Sequence, residues 1–260
     1  MRFCRFKAAE KTAYGIIEGP EVIELRGSPF ERYDRTAVRR PLDRVKLLVP
    51  CVPRMVYTPG INYATHAQDV AKRQGTEFIP PPQPVVDHRS PSALLAHNDP
   101  IVIPKDSSGE VHFEGEVVVV IGKQARKVPE DKAQEHILGY TIGNDLTDRA
   151  WHRADGTNWR SKNADTFKPV GPWIDTSVNL NLAYTAVSLN GKKVSEFTTN
   201  AMLFSPARVV SHISRYVTLY PGDLIFMGTD GHTEPIKPGD TIEIEIRGLG
   251  SLRNPVTAEQ

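Results

Sequence analysis

The sequence predicts a mainly β protein of the α+β class with few short helices, on three observations. Glycine and proline are frequent, 19 and 21 of 260 residues, above the usual combined share of roughly 12%, which favours many turns between short elements. Short apolar or alternating runs recur along the chain in the manner of strands. Helical spacing of apolar residues is confined to a few segments. At 260 residues a folded chain buries roughly 70–75% of its unfolded surface and needs no disulfide staples.

The elements follow in order. An N-terminal β portion, residues 1–52, precedes a larger unit, 53–260, that carries the motifs. Met1-Arg2-Phe3-Cys4-Arg5-Phe6 puts charges where a signal peptide needs its apolar run, and no stretch nears the roughly 18 consecutive apolar residues of a membrane span. A soluble cytoplasmic protein with no membrane partner is expected. Arg39, Arg40 and Arg44 read as a solvated face, and Val45–Val49 reads as a strand. A short helix near Ala64–Gln74 leads into Gly75–Ser90, where Pro80, Pro81, Pro82 and Pro84 argue against regular structure, because proline fixes φ and lacks an N–H. Loops of this length in compact domains are often functional. Ile101–Ile103, Val117–Ile121 and Tyr140–Asp145 read as strands. Pro206–Tyr220 reads as a helix, since Val209, Val210, Ile213, Tyr216 and Val217 recur at helical spacing until Pro221-Gly222-Asp223. Leu224–Met227 and the alternating Thr241–Ile246 are the last clear strands.

Charge and cysteine content narrow the function. The net charge of +1 supplies no field of one sign to hold a phosphate backbone, so no nucleic-acid partner is expected. Cys4 and Cys51 are too few for a disulfide framework and lack further thiols for a zinc site. Both read as reduced and structural.

Three acids stand out. Glu114 and Glu116 precede the apolar run Val117–Ile121, and residues two apart in a strand share a face. Two carboxylates held side by side repel by roughly 4 kcal/mol at about 4 Å and an effective dielectric near 20, so the pair needs a cation or a shared proton unless it simply emerges into solvent. Asp145 ends another apolar strand. It is either a third ligand or the N-cap of a helix over Leu146–Trp151. Three oxygen ligands without Cys or His suit a hard cation, Mg²⁺, Mn²⁺ or Ca²⁺, better than zinc.

Glu114-Gly115-Glu116, then Gly139-Tyr140-Thr141-Ile142-Gly143-Asn144-Asp145 with Arg149, then Lys162 and Asp165-Thr166-Phe167 before Gly171-Pro172-Trp173, resemble the fumarylacetoacetate hydrolase family. Asn62-Tyr63 with His66-Ala67, Pro91-Ser92-Ala93-Leu94, Leu189-Asn190-Gly191, Leu219-Tyr220-Pro221-Gly222-Asp223, Gly228-Thr229, Lys237-Pro238-Gly239-Asp240 and Gly248-Leu249-Gly250-Ser251 follow in the family's order. The resemblance spans roughly residues 55–256. It implies a mixed β-sandwich roll, a homodimer, and Mg²⁺ or Mn²⁺ held by Glu114, Glu116 and Asp145, with Ca²⁺ as a further fit. The implied substrate is a small 2-oxo or diketo acid. The implied reaction is hydrolysis of a C–C bond in a 2,4-dioxo acid, of the acylpyruvate or fumarylpyruvate type, through a metal-stabilised enolate. The alternative is decarboxylation or keto–enol tautomerisation of oxaloacetate or a related 2-oxo dicarboxylate.

Roles for single residues follow from the same resemblance. Lys162 would stabilise the developing oxyanion. His66, three residues before Asp69 on one helix face, would activate water as a carboxylate-oriented base. Thr229 would bind the substrate carboxylate, Gly228 would let the backbone approach closely, and Tyr63, Arg89 and Arg149 complete the substrate-binding set. The chain departs from the family pattern at several of these places: Asp69 stands where glutamate is usual, Arg89 where lysine is, Asp230 where proline is, and Ala150 and His152 where aspartate and glutamine are. His152 is either a pocket residue or a surface histidine.

Overall fold

The computed structural model describes residues 1–73, 75–230 and 232–260, with the backbone alone at 66, 69, 70 and 73. Sheet dominates. A 12-stranded sheet runs in the spatial order Tyr33–Pro41, Glu21–Gly27, Lys11–Glu18, Arg2–Ala8, Lys168–Asp175, Ile137–Asn144, Gly115–Ile121, Leu224–Phe226, Val56–Pro59 and Val86–Arg89. Lys46–Leu48 joins it beside Arg2–Ala8, and Leu94–Leu95 beside Lys168–Asp175. Most pairs are antiparallel, but Leu224–Phe226 lies parallel to Val56–Pro59, so the sheet is mixed. A second sheet of five strands orders Lys192–Thr198, Tyr184–Leu189, Thr241–Ile246, Gly250–Ala258 and Ile101–Ile103. This is the mainly β roll with few short helices that the sequence predicts.

The strand Gly115–Ile121 is buried along its whole length and packs on both faces. Its odd residues Val117, Val119 and Ile121 meet Val187, Ile242, Ile244 and Ile246 of the five-stranded sheet in the largest core. Its even residues Val118 and Val120 meet Phe3, Ile174, Leu224 and Phe226 on the other side. A run of Val and Ile with no polar alternation is what a strand covered on both faces requires. Glycines sit where the layers are tightest. A Cβ on Gly143 would lie 2.5 Å from Phe226 Cε1 and 2.6 Å from Val118 Cγ2, and Phe226 is fully buried. Gly143→Ala should therefore destabilise the fold by about 1–3 kcal/mol through overpacking, read as a lowered calorimetric Tm.

The strands of residues 1–52 continue the large sheet, with Arg2 and Phe3 registered against Asp175 and Ile174. Their outer strands carry the arginine face, on which Arg39 pairs with Glu21 and Arg40 with Glu24. Glu24 also accepts from Lys11. The Lys11 hydrogen bond and charge, helped by Arg40 and opposed by burial, hold the Glu24 carboxyl below its usual range. A depressed acid adds stability above its unfolded pKa that is lost as pH falls through the folded one. Glu24→Gln should lower Tm at pH 7 by the equivalent of at most about 1 kcal/mol, because the partners are solvent-facing. The gap should close below roughly pH 4, and thermal melts at both pH values check it. Cys4 and Cys51 are free and buried, and burial pushes the Cys4 thiol up to about 12.

Three expectations need correction. The helix from Pro206 ends at Tyr216 rather than Tyr220, because Leu219 forms a two-way backbone bridge with Ala125 and Asp223 Oδ2 accepts the Tyr220 N–H at 2.8 Å. The proline-rich loop stops at residue 85. Val86–Arg89, which carries no proline, forms a strand on Val56–Pro59. Asp145 caps no helix, for the helix is Arg149–Ala154 and its N-cap is Asp148, which accepts from the Trp151 N–H. Among the described residues no helix is long and apolar enough to cross a membrane.

Candidate active site

The site begins at the end of Gly115–Ile121, where the strand leaves the core. Glu116 has the parity of Val118 and Val120 and stands opposite Gly143 on the neighbouring strand. Glu114 is fastened to the Asn144-Asp145 segment: Asp145 N donates to Glu114 O at 2.9 Å, and Glu114 N donates to the Asn144 side-chain Oδ1 at 2.9 Å. One carboxylate oxygen from each of Glu114, Glu116 and Asp145 lies within 4.8 Å of the others. All three residues are buried, so the reading in which the glutamates emerge into solvent falls.

Among the described residues, cations pair with two of the acids and not with the third. Asp145 receives Lys162 Nζ at 2.8 Å, Lys168 Nζ at 2.8 Å and Arg89 Nε at 3.1 Å. Glu114 receives Lys162 Nζ at 2.6 Å and Arg149 Nη2 at 2.6 Å. Among the described residues, Glu116 accepts only the Gly228 backbone N–H, at 2.6 Å. Burial opposes ionisation of Asp145, but Arg89, Lys162 and Lys168 outweigh it and hold the carboxyl well below its usual range. Glu114 is likewise lowered against burial by Lys162 and Arg149. Glu116 is pushed well above the usual range by burial and by Asp145 and Glu114. Three clustered oxygen donors, one of them without an ion pair among the described residues, fit a hard divalent ion.

These groups line a cavity of about 470 Å³ that also presents Tyr63, Arg89, Arg149, His152, Gly228 and Thr229. Gly228 has φ +87°, the left-handed region that glycine enters freely, and this turns its N–H onto Glu116. Tyr63 offers its ring, because its hydroxyl donates to Thr199 O at 2.6 Å. The neighbouring Asn62 fastens the loop by donating to Met227 O at 2.8 Å and accepting from Phe204 N at 2.8 Å. Arg89 is turned onto Asp145 and Asp87. Thr229 is half-buried on the wall. His66 and Asp69 lie on the helix Ala64–Arg73, with their side chains outside the described residues.

Lys168 is the charged group that sequence reasoning missed. It is fully buried, and besides Asp145 it donates to Phe167 O at 2.8 Å and Leu146 O at 3.0 Å. A lysine inside the apolar run Phe167–Val170 was its available signal, since such a charge is buried only when paired.

Comparison with known proteins agrees with this architecture. Residues 55–257 match the family model described as fumarylacetoacetate (FAA) hydrolase, C-terminal, and residues 1–50 match that described as Rv2993c-like, N-terminal. The chain belongs to the fumarylacetoacetate hydrolase family. Protein Rv2993c of Mycobacterium tuberculosis is 38% identical over 98% of each chain. A 2,4-didehydro-3-deoxy-L-rhamnonate hydrolase of Sphingomonas is 33% identical, covering 99% of this chain and 96% of that one. The crystal structure of 5-carboxymethyl-2-hydroxymuconate delta-isomerase from Mycobacterium smegmatis superposes with a TM-score of 0.91 at 36% identity over the full length of both. The family is one of enzymes, and hydrolases and an isomerase stand among the relatives of this chain.

Proposed function

We propose that the protein is a divalent-metal-dependent hydrolase that cleaves the C–C bond of a 2,4-dioxo acid of the acylpyruvate type. The observation that carries the reading is the buried cluster of Glu114, Glu116 and Asp145 with the Lys162 ammonium set between two of its members at the floor of a cavity. Glu114, Glu116 and Asp145 would hold Mg²⁺ or Mn²⁺, which supplies Lewis-acid polarisation of the adjacent oxygens of a 2-oxo acid.

The remaining steps belong to the chain's own residues. Thr229 and the Arg149 guanidinium bind the substrate carboxylate and fix the reacting end. Lys162 is buried, and although burial opposes its charge, Asp145 and Glu114 raise it above the usual lysine range. Its ammonium, held between Glu114 and Asp145, stabilises negative charge as it develops on the 2-oxo oxygen. His66, oriented by Asp69, directs water at the distal carbonyl, and C–C scission releases a carboxylic acid and the enolate of pyruvate. A homodimer in the cytoplasm belongs to the same reading, by family resemblance.

The Mycobacterium smegmatis isomerase likeness favours a second reading, in which the same enolate is reprotonated without water attack, as a tautomerase or decarboxylase acting on oxaloacetate or a related acid. Following the ultraviolet enol band of acetylpyruvate, with oxaloacetate in parallel, separates the two. Metal-dependent loss of acetylpyruvate with pyruvate and acetate formed supports the hydrolase. Turnover of oxaloacetate alone supports the second reading. Lys162→Met should lower kcat by about 10²–10³-fold, the scale of a lost oxyanion donor, in the same assay.

A further inference from the structure

His152 stands at the cavity, and the reaction as read so far gives it no part. It follows Arg149 by three residues on the helix Arg149–Ala154. The two side chains therefore share a helix face, and both line the cavity. A chain of hydrogen bonds sets the ring. Asp87 Oδ2 accepts from Arg89 Nη1 at 2.9 Å and from Asn158 Nδ2 at 3.0 Å. An amide that donates through Nδ2 to a carboxylate turns its Oδ1 the other way, and that oxygen lies 2.8 Å from His152 Nδ1. Facing that acceptor, Nδ1 carries the proton, and the lone pair of the neutral ring is on Nε2. The path Arg89–Asp87–Asn158–His152 thus fixes both the orientation and the tautomer of an imidazole at the mouth of the site.

We infer that His152 is a catalytic acid–base whose Nε2 exchanges a proton with C3 of the bound 2-oxo acid. The inference rests on the enolate reading of the site given above. In the enolising direction Nε2 takes a C3 proton, leaving the electron pair on the enolate and forming the imidazolium. In the cleavage direction the exposed ring first takes up a proton from water at Nε2 as the imidazolium. Scission leaves the pair on C3, and that Nε2 proton moves to the carbon to complete pyruvate and restore the neutral ring.

The test is deuterium exchange into the methyl group of pyruvate in D₂O, followed by proton NMR with Mg²⁺-loaded protein. His152→Gln keeps an amide donor for Asn158 but has no transferable proton. Its exchange should fall about 100-fold or more, the lower bound of general acid–base catalysis, while calorimetric Mg²⁺ affinity stays within about twofold. Asn158→Ala should give an intermediate loss by freeing the tautomer, a readout that a merely structural His152 does not produce. Wild-type exchange with an unimpaired His152→Gln overturns the role of His152 and leaves the enolate reading intact. No exchange by the wild type overturns the enolate reading itself.

Discussion

Glu116→Gln is expected to abolish metal binding and turnover while making the metal-free protein more resistant to heat. Glu116 is buried beside Glu114 and Asp145, and among the described residues no cationic side chain makes an ion pair with it. Burial and the two neighbouring acids raise its carboxyl well above the usual range. A raised acid binds more protons folded than unfolded, so the metal-free protein loses stability as pH climbs above the unfolded value near 4.3. Glutamine removes that penalty. The Tm of metal-stripped Glu116→Gln should exceed that of the stripped wild type at pH 8, and the two should converge towards pH 4. Added Mg²⁺ should raise Tm in the wild type alone, since ligand binding stabilises only a protein that binds. A calorimetric Mg²⁺ affinity within tenfold of wild type would show that Glu116 is no ligand.

Asp145→Asn, in the same cluster, should do the opposite to the metal-free fold. Asp145 is the common partner of Arg89, Lys162 and Lys168, all buried. Removing its charge strands cations away from water, a loss on the order of 3–5 kcal/mol for a broken buried pair, or a fall in Tm of roughly 10 °C. Lys168 has the least access to water, and burial, partly offset by Asp145, lowers it to about 8. Adding Lys168→Met to Asp145→Asn should therefore recover part of the loss, a coupling that a double-mutant cycle in thermal melts measures. An Asp145→Asn variant that melts with the wild type would contradict the charge balance described here.

The site was legible in the sequence where local geometry dictates it. Period-two alternation puts Glu114 and Glu116 on one face wherever the strand is buried, and Asp145 ends the adjacent strand, so the pairing of Gly115 with Asn144 brings the acids together. What stayed hidden depends on distant partners. Arg89 lies 56 residues from the carboxylate it grips, and no pattern near residue 89 reveals that its guanidinium faces Asp145. Lys168 was hidden for the same reason: its partners are two backbone carbonyls and an acid from another strand. The early end of the helix at Tyr216 reflects a tertiary override, since the apolar spacing runs on through Val217 while Leu219 is captured by Ala125. Residues 1–52 carry no chemical motif, and only their strand register against Asp175 and Ile174 places them in the sheet.

The most direct test of the hydrolase reading is the product stoichiometry of acetylpyruvate turnover, followed by proton NMR with metal-stripped protein before and after Mg²⁺ or Mn²⁺ is added. No reaction is expected without metal and, with it, one acetate and one pyruvate for each acetylpyruvate consumed. Metal-dependent loss of the enol signal without acetate, or release of CO₂ in place of a second carboxylic acid, would contradict the hydrolase reading.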